Sequence, residues 1–166
     1  MTRLTGLAPI VGPETRLLVL GSFPSVASLR DQQYYAHPQN HFWKILQALW
    51  PEFPLPEVSD YAARCAWVRA RGLGIWDVYA SCERQGSLDS AIRDAVVNDF
   101  SALVATCPQL KVIAHNGGES FKHAKHTAAL GLPVVRLPSS SPANASWSLE
   151  RKRAAWYDAA VQAGLL

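Results

Sequence analysis

"RLLVLGSFPS", Arg16 to Ser25, decides how this chain folds. Leu17 to Leu20 are apolar at every position. The run is too brief for a helix and lacks the in-out alternation of a half-solvated strand, so it belongs to a strand covered on both faces, as in a parallel sheet. The glycine, serines and proline that follow stop it abruptly. With Arg16 the strand is expected over residues 16–20, and three further compact runs, at 74–78, 110–114 and 133–137, share its character.

Helical patterns separate these runs. Phe42, Ile45, Leu46 and Leu49 recur at i, i+3, i+4 and i+7 and make one apolar face. A second helix is expected from an N-cap at Ser59 to Gly72, and two shorter ones between Leu88 and Thr106, ending before Pro108. A fourth pattern covers residues 119–130 and closes at Gly131. The last covers 148–163, with Leu149, Trp156, Ala160 and Ala163 on one side. Strand and helix thus alternate, which predicts a three-layer α/β/α sandwich around a central four-stranded parallel sheet.

The 166 residues read as a single domain, 1–166, and 49% hydrophobic content with six tryptophans supports a full core. A net charge of +3 permits a polyanionic partner without demanding one. Cys65, Cys82 and Cys107 have no close pair, read as reduced thiols, and lack the spacing of an iron–sulfur cluster or a structural zinc site. No signal pattern opens the chain, and no apolar run approaches the roughly 18 residues of a membrane span. A soluble, cytoplasmic protein without metal or cofactor is expected.

In open parallel sheets the ligand site forms at the carboxyl ends of the strands. That rule selects the loops 21–40, 79–87, 115–120 and 138–147. None carries a phosphate-binding P-loop, a dinucleotide fingerprint or a nucleophile elbow. His37 and His41 lie four apart, but Pro38 interrupts any helix through both, so they read as a turn histidine and a helix-start histidine. His123 and His126, beside Lys122 and Lys125, read as a solvated helix face, and Lys44 as exposed or phosphate-facing. "SSSPANAS", Ser139 to Ser146, is either a plain loop capping the last helix or a small-residue segment that lets an anion approach. Arg151, Lys152 and Arg153 follow it.

"YAHPQNHFWKIL", Tyr35 to Leu46, followed much later by "LPSSSPANAS", Leu137 to Ser146, resembles the motif pair of the uracil-DNA glycosylase superfamily. Within it the chain is most similar to the hypoxanthine-DNA (deoxyinosine) glycosylase branch, family 6. The likeness runs from Leu17 to about Ala160. Gly21-Ser22-Phe23-Pro24-Ser25 puts Phe23 where the mismatch-specific enzymes carry a catalytic asparagine and the uracil-specific ones an aspartate. Ser139-Ser140-Ser141-Pro142-Ala143 puts Ser139 at the superfamily's second-motif histidine and Ala143 at its leucine wedge. The resemblance implies catalysis by Asn40, no metal, and a monomer that acts on DNA containing a deaminated base.

Base excision requires a flipped nucleotide, a pocket for its base and a grip on the flanking phosphates. Tyr35 offers a stacking face, though packing against the first helix would also explain it. Asp77, at the end of the second strand, could accept from a base N–H or hold a water, and Asn116 could line the pocket. Phe23 completes the base-binding set. Ser25, Ser139, Ser140, Ser141, Pro142, Ala143 and Asn144 are assigned to the DNA backbone, with Arg84 and Ser87 as weaker candidates. Trp147 is expected to pack at the start of the last helix. Uracil, mismatch or xanthine preference, an inactive DNA-binding relative and a serine-dependent small-molecule hydrolase are the other readings of these loops.

Overall fold

The computed structural model describes residues 2–166. Its strands are β1 (Arg3–Thr5), β2 (Leu17–Gly21), β3 (Leu73–Asp77), β4 (Tyr79–Glu83), β5 (Arg93–Val97), β6 (Val112–Asn116) and β7 (Val134–Leu137). Its helices are α1 (Val26–Asp31), α2 (Phe42–Leu49), α3 (Tyr61–Ala70), α4 (Phe100–Val104), α5 (Gly118–Phe121), α6 (Ala124–Ala128) and α7 (Leu149–Gln162). The central sheet is parallel, in the order β3-β2-β6-β7, and β2 is buried at every position.

Alternate residues of each strand face opposite layers, as pleating requires. Leu17, Val19, Val112 and Ala114 join the core formed with α2, α3 and α7, where Phe42, Ile45, Leu46, Trp67 and Trp156 are buried. Leu18, Leu20 and Ile113 face the other way, toward Phe100, Leu103, Tyr79 and Cys82. The Phe42 ring meets Trp156 edge-on, with centroids 5.6 Å apart, and so locks α2 to α7. The four-stranded parallel sheet flanked by helices is the expected architecture.

Several local expectations are corrected. The stretch 88–106 holds a single short 3₁₀ turn (Asp89–Ala91), the strand β5 and then α4, where two helices were expected. β5 pairs with β4, and β4 with β1, in a small antiparallel sheet. The loop expected at 79–87 therefore begins as a strand. α3 is capped by the Asp60 side chain, which accepts from the Ala63 N–H, so the cap lies one residue beyond Ser59. The fourth helical pattern divides into α5 and α6. On α7 Leu149 is exposed, and its buried positions are Lys152, Trp156, Ala159 and Ala160, with Ala163 buried just past its end. Among the described residues no helix is long and apolar enough to cross a membrane.

Candidate active site

β2, β3, β6 and β7 end together, and a cavity of about 790 Å³ opens at their carboxyl ends. Phe23, Ser25, Tyr35, Asn40, Asp77, Asn116, Ser139, Ser140, Ser141, Ala143 and Asn144 all line it, whereas exposed Pro142 does not. Residues from both ends of the chain thus share one cleft.

The floor is built around Tyr35. Its backbone lies in the left-handed region at φ +53°, which is rare for a bulky residue and is tolerated where the surroundings enforce it. That twist parts two neighbouring tyrosines. Tyr34 turns inward, its hydroxyl donating to the Ala8 carbonyl at 2.9 Å, while Tyr35 lines the cavity. The Tyr35 ring stacks on Phe42 at 3.9 Å between centroids and 15° between planes. Packing and cavity lining are both true of this residue.

Asn116, at the end of β6, is a strut. Its Oδ1 accepts from the Ser140 N–H at 3.0 Å, while its Nδ2 donates to Ser140 Oγ at 2.9 Å and to the Tyr35 hydroxyl at 3.1 Å. Ser140 is buried, and its carbonyl accepts from the His41 N–H at 2.9 Å. One amide therefore binds the floor to the 138–147 loop, and the Ser140 carbonyl binds that loop to the start of α2. The other loop serines are partly engaged. Ser139 Oγ accepts from the Ser141 N–H, Ser141 Oγ accepts from the Ala143 N–H, and Ser25 Oγ caps α1 through the Ser28 N–H.

Asn40 stands just before α2. Its Oδ1 accepts from the Phe42 N–H at 2.9 Å, which satisfies one orphan donor of the helix start. That bond engages the carbonyl oxygen and leaves the Nδ2 donor without a partner among the described residues.

Asp77 is 5% exposed, lines the cavity, and its Oδ2 has no hydrogen-bond partner. Burial and then the neighbouring Asp89 carboxylate push its carboxyl up to about 7, with Arg84 opposing. Asp89 is itself raised, chiefly by burial, although Ser22 Oγ donates to its Oδ1 at 2.6 Å. Gly21 makes room for Asp77. A Cβ there would lie 2.5 Å from Asp77 Oδ1 and 3.0 Å from the Tyr35 hydroxyl. Gly21→Ala is expected to destabilise by about 1–3 kcal/mol and to displace the carboxylate, read as a lower denaturation midpoint together with lost activity.

Other polar residues are placed less simply. Arg84 is buried; its Nη2 donates to the Pro24 carbonyl at 2.6 Å, its guanidinium lies 5.3 Å from the Phe23 ring centroid, and Nε and Nη1 have no partner. It braces the loop after β2 from below. Lys152, which with Arg151 and Arg153 follows the small-residue loop that the sequence left open to an anion, is 1% exposed and reaches His41 Nδ1 at 3.2 Å. His123, expected on a solvated face, is half-buried 3.0 Å from the Tyr79 hydroxyl, which donates to Glu119 at 2.6 Å. His37 behaves as a turn histidine, its Nδ1 accepting from the Gln39 N–H. Trp147 packs under Arg151, whose guanidinium is 4.0 Å from the ring centroid. Sequence reasoning missed Arg136 and Leu88, which also line the cavity. Arg136 was hidden inside an apolar strand, and Leu88 inside an expected helix. Arg136 makes no ion pair among the described residues. Nor do those residues hold a cluster of three metal-binding side chains.

Known proteins share this framework. The sequence model of the Uracil DNA glycosylase superfamily matches residues 8–163. A protein of Methanosarcina barkeri named Hypoxanthine DNA glycosylase is 35% identical over 154 residues, covering 93% of this chain and 96% of the relative. A Methanosarcina acetivorans protein of the same name is 35% identical over 147 residues, covering 89% and 92%. The solution NMR structure of a candidate uracil DNA glycosylase from Methanosarcina acetivorans superposes with a TM-score of 0.82 at 32% identity, covering 99% of each chain. With the cleft at the carboxyl ends of the parallel strands and a family match over almost its full length, the chain belongs to the uracil DNA glycosylase superfamily.

Proposed function

We propose that this chain is a monofunctional DNA glycosylase that hydrolyses the N-glycosidic bond of deoxyinosine, releases hypoxanthine and leaves an abasic site. The observation that carries the reading is the buried, unpartnered Asp77 carboxyl in a cleft floored by Tyr35. A polar group left unsatisfied in a buried position of a cleft is one mark of a catalytic or binding role. In its acid form Asp77 offers one donor and one acceptor, the complement of the –NH–C=O edge of a 6-oxopurine. The relatives named Hypoxanthine DNA glycosylase support the same base.

The reaction breaks the bond between C1′ and N9. The electron pair leaves with the base, water adds its oxygen to C1′, and the proton that water loses ends on the departed base, giving neutral hypoxanthine. Positive charge grows on the sugar and negative charge on the base, so preorganised donors aimed at the base lower the barrier. The Asn40 amide and the Asp77 acid supply them. Asn40 is a poor base, and the 6-oxo group can hold the departing charge; leaving-group stabilisation therefore carries more of the catalysis than proton removal. Tyr35 supplies the stacking face. Ser139, Ser141, Asn144 and Arg136 at the rim suit the flanking phosphates, and one chain suffices for the whole cleft.

Single-turnover assays on oligonucleotides bearing one deoxyinosine, deoxyuridine or deoxyxanthosine test the reading. Fastest release from deoxyinosine is expected, with an abasic product. Faster release of uracil or xanthine would reassign the base. Lesion-independent, salt-sensitive binding without release would reveal a binding protein.

A further inference from the structure

A nucleotide that leaves the duplex opens a gap in the base stack, and proteins that disrupt stacking commonly insert an apolar side chain there. Resting on the proposed reaction on duplex DNA, we propose that Leu88 is this wedge. It lines the rim of the cavity yet remains 62% exposed. The other candidates at the rim are unsuited. Phe23 and Tyr34 are buried, Trp147 is covered by Arg151, and Ala143 is too small to fill a gap.

Leu88 is also held in place. On one side Ser87 Oγ accepts from the Val26 N–H at 2.9 Å. On the other, Asp89 Oδ1 accepts from Ser22 Oγ at 2.6 Å. Both anchors belong to the segment after β2, which forms one wall of the cavity. Between them Leu88 is extended, at φ −76° and ψ 135°, and its carbonyl accepts from the Ala91 N–H at 3.1 Å. Val26, 51% exposed, continues the apolar edge beside the Ser87 anchor. An apolar side chain pinned on both flanks and left in water is preorganised for something that buries it. At the mouth of a base pocket that something is the interior of the duplex.

The test uses one deoxyinosine oligonucleotide, paired or single-stranded, with the parent protein, Leu88→Ala and Leu88→Met. A 2-aminopurine beside the lesion reports unstacking before excision. Leu88→Ala is expected to slow excision from the duplex by about 10- to 100-fold, as loss of the area buried by a leucine would. It should suppress the fluorescence rise and leave the single-strand rate little changed, while Leu88→Met restores both duplex signals. Equal slowing on duplex and single strand, or an undiminished fluorescence rise in Leu88→Ala, would overturn the wedge. The fluorescence readout needs only duplex binding and decides the matter without turnover. Absence of hypoxanthine release by the parent would instead count against the proposed reaction.

Discussion

Asn40→Ala is expected to lower the single-turnover excision rate by about 100- to 1,000-fold, the scale of losing one preorganised donor to a developing anion. Binding to lesion-containing DNA should persist, because the rim residues are untouched. The alanine variant also loses the cap on the Phe42 N–H, worth about 1 kcal/mol. Asn40→Asp separates the two effects. Its carboxylate can still accept from the Phe42 N–H, and a negative charge suits a helix start. The amide donor, however, is gone, and a negative charge faces the leaving base. That variant should be as stable as the parent in thermal denaturation and at least as inactive as alanine. An active Asn40→Asp would remove the donor role from this residue.

Asp77→Asn is expected to stabilise the protein at neutral pH and to remove a pH step from its activity. Burial raises the Asp77 carboxyl from an ordinary 3.8 to about 7. In this pH range the folded state binds its proton more tightly than the unfolded chain does. The contribution of this group is therefore most favourable below about pH 4, declines as pH rises toward about 7, and stays at its least favourable above. The neutral amide escapes that penalty, which is on the order of 2–4 kcal/mol from the size of the shift. The melting-temperature gap between Asp77→Asn and the parent should be widest above pH 7 and close toward pH 4. A gap of constant size would dissociate the effect from ionisation. In catalysis the acid form is the donor, so the parent's rate should fall as pH rises through about 7. Asp77→Asn, whose amide keeps one donor and one acceptor at every pH, should lack that step.

Much of this was legible in the sequence because strand burial writes itself as apolar runs. β2, β3, β6 and β7 each begin within two residues of their expected starts. The rule that ligands gather at strand ends then pointed to loops that contribute to the cavity. The errors fall where signals are shared or tertiary. β5 lies mostly exposed in a small outer sheet, so Arg93–Val97 carries no clear period, and Asp94 has a positive φ. Lys152 sits in a run of three basic residues, and only the turn of α7 toward His41 buries it. Asn116 followed by Gly117 reads as a turn. Its three hydrogen bonds depend on Tyr35 and Ser140, far away in the chain.

That last arrangement also sets a timetable. The floor at Tyr35 has its strut only once β6 exists, and the strut has its second footing only once Ser140 has been made. During synthesis the early segments can collapse around β2 and α2, but they have no complete cleft to present. A nascent or prematurely ended chain that stops before β7 lacks the edge strand, the 138–147 loop and the helix that covers Phe42. The complete cleft arrives only with the final stretch of translation.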